Sequence, residues 1–72
     1  MPKLPLISGI KAMKAFARLG FAKVRQRGSH AVLRRGSDVC VIPMHREIDP
    51  DTLRGALRQA KVTEEEFVEA LR

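Results

Sequence analysis

Apolar residues recur at helical spacing near the start of the chain. Ser8 is a suitable N-cap, and Gly20, just after Leu19, suits the left-handed conformation that ends many helices. Between them, Met13 and Phe16 lie on one apolar face. The opposite face carries three cations, Lys11, Lys14 and Arg18. The pattern therefore predicts an amphipathic helix that runs to about Leu19.

The next two segments alternate between apolar and polar residues, as strands do. They occupy residues 21–27 and 30–35, with Gly28 and Ser29 between them. Glycine tolerates the positive φ that the first position of a type II′ turn requires. The pair therefore predicts a hairpin with a two-residue turn.

This turn predicts the register of the hairpin. It places Arg27 opposite His30 and Val24 opposite Leu33, with Val24 and Leu33 facing the core. The other face then collects Lys23, Arg25, Arg27, His30 and Arg34. We therefore expect His30 to lie among cations on the outer side of the sheet.

Three shorter elements complete the chain. Residues 39–43 form a nearly continuous apolar strand that ends at a proline. Asp49 and Pro50 are typical of the first residues of a helix, and Thr63 with Glu66 forms a capping box for another. The order αβββαα predicts an α+β domain, with helices on one face of a three-stranded antiparallel sheet and the other face free for a partner.

The length of 72 residues allows a single domain, residues 1–72, and makes a large buried substrate pocket or a dinucleotide-binding unit improbable. Cys40 is the only cysteine, and no Cys/His cluster has zinc spacing, so we predict no disulfide, metal or other cofactor. No apolar run has the length of a signal peptide or a membrane span. The cytoplasm is therefore the expected location.

Charge is distributed unevenly along the chain. Residues 1–37, which include Lys3, hold nine Lys and Arg and no acid, whereas residues 38–72 hold five against eight acids. A basic half without neutralising acids attracts polyanions, which favours nucleic-acid binding. The alternative is a solvated basic surface that keeps a small protein soluble.

His30 is the main candidate for chemistry. A histidine exchanges protons near neutral pH. RNA cleavage through the 2′-hydroxyl needs one proton removed, another donated to the leaving 5′-oxygen, and cations near the phosphoryl group. Arg27 and Arg34 would supply those cations. The alternative is an ordinary surface histidine after a turn.

Three other reactive side chains have weaker support. His45 would serve as a second proton-transfer group or as a structural loop residue. Ser29 lacks a visible catalytic triad and is more typical of a turn. Cys40 falls within a strand, where cysteine usually fills apolar space.

The aromatic content indicates how RNA would be bound. With three Phe and no Trp or Tyr, a stacking platform for bases is improbable. Recognition of backbone and shape by Arg and Lys is favoured instead. The cations of the first helix would either extend that footprint or form an ordinary solvated face.

Several blocks of the sequence together resemble the HicA family of toxin–antitoxin mRNA interferases, over nearly the whole chain. These blocks are Leu4-Pro-Leu-Ile-Ser-Gly9, Leu19-Gly-Phe21, Arg25-Gln-Arg-Gly-Ser-His30, Val41-Ile-Pro-Met-His45 and Thr52-Leu-Arg-Gly-Ala-Leu-Arg58. Two positions depart from the family pattern. Asp51 stands where a glycine commonly precedes Thr-Leu, and Lys61-Val62 replaces Gly-Leu.

The resemblance implies a double-stranded-RNA-binding-domain-like fold and ribosome-independent cleavage of mRNA. It assigns the catalytic role to His30, with Gly28 and Ser29 as its turn, and leaves the role of His45 open. It also implies neutralisation by a HicB-type antitoxin that covers the active site. We therefore predict a metal-independent endoribonuclease in which Lys23, Arg25, Arg27 and Arg34 bind phosphate, and in which Gly28 and Ser29 of the turn also belong to the RNA-binding site.

Two other hypotheses use the same basic face. One is an RNA-binding module without catalysis, which would bind RNA in a salt-dependent way and never cleave it. The other is a small interaction protein that binds only an acidic antitoxin. Any oligomer is expected only through the antitoxin complex.

Overall fold

A computed structural model describes residues 4–72, so Lys3 lies outside the described part of the chain. The elements are α1 (Gly9–Arg18), β1 (Ala22–Arg27), β2 (His30–Arg35), β3 (Asp38–Pro43), α2 (Pro50–Ala60) and α3 (Glu64–Ala70). The three strands form one antiparallel sheet in the order β1-β2-β3. The predicted α+β class and αβββαα order are thus confirmed.

One face of the sheet is buried under the helices. Alternate residues of β2 and β3 point there, namely Ala31, Leu33, Cys40 and Ile42, each no more than 1% exposed. From the helices, Phe16 reaches the same core and is fully buried. Burial of such a side chain stabilises the fold by roughly 1.5–3 kcal/mol. The opposite face of the sheet is left exposed, and we call it the outer face.

Both hairpin turns contain two residues and begin with glycine. Arg27 pairs with His30, and Gly28 between them has φ +54°, whereas Ser29 has a negative φ. Positive φ at the first position alone fits the predicted type II′ turn. Gly36, at φ +59°, starts the second turn in the same way, so β3 begins one residue earlier than expected.

The predicted register of the first hairpin is wrong beyond Arg25. A β-bulge interrupts the ladder, so that Arg25 pairs with Val32 but Lys23, not Val24, lies opposite Leu33. Val24 is the extra residue of the bulge and is 52% exposed instead of buried. A bulge adds one residue to one strand, and this reverses the facing of every residue beyond it.

The bulge also removes Lys23 from the predicted cationic face. Lys23 lies opposite Leu33, whose side chain faces the core, and its Nζ donates to Oε1 of Gln26 over 3.1 Å. Gln26 pairs with Ala31, another core-facing residue. Lys23 therefore projects from the edge strand toward the helical side of the sheet.

The first helix begins as predicted and fits tightly against the loop after β3. The hydroxyl of Ser8 accepts from the backbone N–H of Lys11 over 3.1 Å. Gly9 follows, and a Cβ at that position would lie 2.6 Å from the Cα of Met44 and closer still to the carbonyl oxygen of Pro43. Only glycine allows this approach of α1 to the loop.

The remaining helix ends also follow local signals. Asp49 caps α2 through its Oδ2, and Lys61 after the helix adopts the left-handed conformation at φ 58°, ψ 40°. Thr63 and Glu66 form the predicted capping box. Hydrogen bonds from Thr63, chiefly its backbone N–H, lower the pKa of Glu66, because they favour the charged carboxylate.

Candidate active site

The outer face of the sheet is organised in rows that run across the three strands. Directly paired residues share a face, so each row contains one residue from each strand. The rows are Arg27–His30–Pro43, Arg25–Val32–Val41 and Ala22–Arg34–Val39. Cations thus occupy the β1 and β2 side, and apolar residues occupy the β3 side.

His30 lies where the first hairpin meets the end of β3. It is exposed, begins β2 directly after the Gly28–Ser29 turn, and has Arg27 on one side and Pro43 on the other. The paired hairpin strands fix the position of its backbone, and the imidazole is open to solvent. This placement agrees with the prediction that His30 lies among cations on the outer face.

Backbone hydrogen bonds hold the loop that carries His45 at both of its ends. The carbonyl oxygen of Ser29 accepts from the backbone N–H of Met44, and that of His45 accepts from Gly9 over 2.9 Å. The backbone N–H of Ile48 donates to Ile7 over 2.8 Å. The loop is therefore fixed to the hairpin turn and to the segment that enters α1.

His30 and His45 line one groove, which we call the histidine groove. Its volume is about 390 Å³, and Pro43, Glu47 and Thr52 also line it. Two imidazoles along one groove offer a proton acceptor and a proton donor. The sequence suggested His45 as a second proton-transfer group, but its spacing from His30 alone does not place the two residues together.

Three arginines of the outer face are available to bind an anion. Arg25, Arg27 and Arg34 are exposed, and none of them forms an ion pair within residues 4–72. Exposed guanidinium groups without an acidic partner favour phosphate, which they can bind in a bidentate way. Lys23 does not belong to this group because of the bulge.

The cations of α1 lie apart from the histidine groove. Lys11, Lys14 and Arg18 line a different cavity of about 390 Å³ with Leu71. The Arg18 guanidinium donates to the carbonyl oxygen of Ala70 over 2.7 Å. Arg18 therefore joins α1 to the end of α3, which is a structural role that the sequence pattern did not suggest.

Cys40 has the structural role expected from its place in a strand. It is 1% exposed, and burial raises the pKa of its thiol to about 11, so the nucleophilic thiolate is disfavoured. Among residues 4–72, no three His, Cys, Asp or Glu side chains are grouped so that they could hold a metal ion. The helices of the same range are too short or too polar to cross a membrane.

The sequence pattern does not identify two acids and one helix residue that line the histidine groove. Glu47 and Asp49 both line it, together with Thr52 from the first turn of α2. Asp49 is engaged in capping α2, whereas Glu47 makes no ion pair with any described residue. The sequence shows only that Glu47 and Asp49 follow His45 closely in the loop. This closeness along the chain does not predict that they share a groove with His30.

Comparison with known proteins bears on the same residues. A family model described as the HicA toxin of bacterial toxin–antitoxin systems matches residues 10–62. The match covers more than half of the chain and includes both histidines and the arginines of the outer face. No curated protein matches the chain significantly.

Proposed function

The chain belongs to the HicA toxin family of bacterial toxin–antitoxin systems, and on that premise we propose that it is an endoribonuclease that cleaves mRNA at the histidine groove. The observation that carries the proposal is the presence of two histidines on one groove, on the face of the sheet whose arginines form no ion pair with any residue from 4 to 72. We expect the protein to act in the cytoplasm, where mRNA is found.

The proposed reaction is a transfer within the RNA strand. The 2′-oxygen loses its proton and attacks the adjacent phosphorus, and the bond from phosphorus to the 5′-oxygen breaks. The leaving oxygen takes up a proton, and the products carry a 2′,3′-cyclic phosphate and a 5′-hydroxyl. His30 moves one of these protons, and His45, on the same groove, is the candidate for the other.

The arginines contribute by binding and by charge. Arg27 is the cross-strand partner of His30, so the two residues occupy directly paired positions on the outer face. Negative charge on the phosphoryl group increases in the transition state, and fixed cations stabilise it there. Arg25 lies in the next row and Arg34 in the row after it, and they would hold further phosphates of the strand.

Family membership implies an antitoxin partner, and we propose a HicB-type protein that covers the histidine groove. Such a partner would block both histidines at once. Its acidic groups would match the arginines of the outer face, because opposite charge favours rapid association.

The test is a cleavage assay with purified protein in EDTA and two matched substrates. One is an RNA oligonucleotide, and the other carries a 2′-deoxy sugar at the cleaved position. Cleavage of the first alone, giving cyclic phosphate ends, supports the proposal. Cleavage of both would exclude attack by the 2′-oxygen, and cleavage of neither would favour an RNA-binding or antitoxin-binding module.

A further inference from the structure

A second groove continues from the histidine groove along α2. It has a volume of about 510 Å³ and is lined by Val41, Thr52, Gly55, Ala56, Arg58 and Gln59. We call it the α2–β3 groove. Val41 and Thr52 line both grooves, so the two grooves are adjacent and together reach from His30 to the far part of α2. We call the two together the channel.

Gly55 keeps the middle of this channel open. It lies inside α2, where glycine is the least favourable residue apart from proline. A Cβ at Gly55 would meet no atom within 4 Å, so core packing does not require glycine there. The space that a side chain would occupy instead belongs to the groove.

The division between charged and apolar residues across the outer face matches one strand of RNA. Arg25 lies on β1 and Val41 on β3, in the same row of the outer face, with Val32 of β2 between them. Neighbouring strands are about 4.8 Å apart, so the two backbones are about 9.6 Å apart. Cations thus lie on one side of the surface and apolar groups on the other. Arg58 lies at the groove and forms no ion pair among the described residues. A nucleotide chain has the same division, with phosphates along one side and bases along the other.

We propose that the α2–β3 groove binds bases of single-stranded RNA beyond the two nucleotides that flank the cleaved phosphate, while the outer-face arginines bind its phosphates. This inference rests on the proposed function and names the substrate class as single-stranded. Val41 in this groove can contact the face of an unpaired base, whereas a duplex keeps its bases stacked inside. A free strand can also bring its 2′-oxygen into line with the breaking bond, which a regular helix hinders.

The test measures binding separately from cleavage. Two labelled 2′-O-methyl RNAs, a dinucleotide and an octanucleotide, cannot be cleaved through the 2′-oxygen, and their affinities are compared by fluorescence anisotropy. In Gly55→Leu the side chain enters the groove, and we expect octanucleotide affinity to fall about tenfold or more. Dinucleotide affinity should stay unchanged.

Gly55→Ala gives a graded comparison at the same position. Both variants should have a higher melting temperature than the wild type, because both residues favour the helix more than glycine does. Octanucleotide affinity should fall less for alanine than for leucine. Loss of binding in a more stable protein cannot be explained by unfolding.

Two valines of β3 provide a matched control. Val39 is 37% exposed and Val41 is 39% exposed on the same face, but only Val41 lines the groove. Val41→Gln should weaken octanucleotide binding, and Val39→Gln should not.

Three outcomes would overturn the inference. The first is an octanucleotide affinity in Gly55→Leu equal to that of the wild type. The second is a loss of affinity in Gly55→Leu that is equally large for the dinucleotide and the octanucleotide. The third is unchanged RNA affinity with weakened antitoxin binding, which would make the groove a protein interface. If the wild type cleaves no RNA but the binding pattern holds, the proposed function fails and the RNA groove stands.

Discussion

The backbone N–H of Gly9 donates to the carbonyl oxygen of His45 over 2.9 Å. The start of α1 therefore holds the loop that brings the second histidine to the groove. The close approach is possible because Gly9 has no side chain, since a Cβ would meet Pro43 and Met44. A residue far from the chemistry in sequence thus positions one wall of the candidate active site.

Gly9→Ala should both destabilise the fold and displace this loop. The added methyl meets backbone atoms that cannot rotate away, so we expect a loss of about 1–3 kcal/mol in the free energy of unfolding. RNA cleavage should also fall at temperatures where the variant stays folded. The control is Ile10→Ala, at a neighbouring residue that is 57% exposed. It should change neither the free energy of unfolding nor the rate of RNA cleavage. Wild-type stability in Gly9→Ala would disprove the close approach.

Lys61→Gly should stabilise the protein. Lys61 adopts φ 58°, which costs a residue with a side chain about 1–2 kcal/mol relative to the ordinary conformation and costs glycine much less. We expect a gain of about 0.5–1 kcal/mol and a melting temperature higher by several degrees, measured by circular dichroism. Gln59→Gly, inside α2, should have the opposite effect. A lower melting temperature for Lys61→Gly would contradict the left-handed backbone conformation of Lys61.

The bulge predicts that charges of β1 contribute unequally to RNA binding. Arg25→Ala and Arg27→Ala should weaken binding and reduce the slope of log K against log salt by roughly 0.7 for each phosphate that is no longer bound. Lys23→Ala, which removes the same charge from the same strand, should have a smaller effect because Lys23 projects to the helical side. RNA-binding titrations at several salt concentrations measure the affinity and the salt slope of each variant. An effect of Lys23→Ala as large as those of the arginines would argue against the observed register.

The buried thiol of Cys40 should make stability depend on alkaline pH. Its pKa rises from 9.0 to about 11 on folding because burial disfavours the thiolate. The unfolded state therefore releases this proton first, so the contribution is complete below pH 9 and is lost as pH rises to about 11. The loss is of the order of 2–3 kcal/mol. Urea unfolding of the wild type and Cys40→Ala across this range should show a steeper decline in the wild type, and parallel declines would refute the effect.

The helices and strands follow from signals that are local in the sequence. Ser8, Asp49 and Thr63 each mark a helix start, and Gly28 marks a turn, because capping and positive φ depend on neighbouring residues. The bulge at Val24 gives no comparable signal, because an extra residue in one strand leaves the alternation almost unchanged.

The site can be predicted only in part for a similar reason. His30 is identified by its turn and its cationic neighbours. Its groove with His45 and Thr52 depends on how β3, the following loop and α2 pack together, which no local pattern records. No pattern singles out Gly55 either, since its importance lies in the space beside it.

The central claim is that His30 transfers a proton during RNA cleavage, and the most direct measurement compares the single-turnover cleavage rates of wild type and His30→Ala in EDTA. Circular dichroism and RNA affinity report whether each protein is folded and binds. Ser37→Ala, an exposed residue of the other hairpin turn, is the control and should cleave at the wild-type rate. The account predicts a rate lower by about 10²–10⁴-fold in His30→Ala, with fold and affinity retained. Equal rates in the two proteins would contradict it.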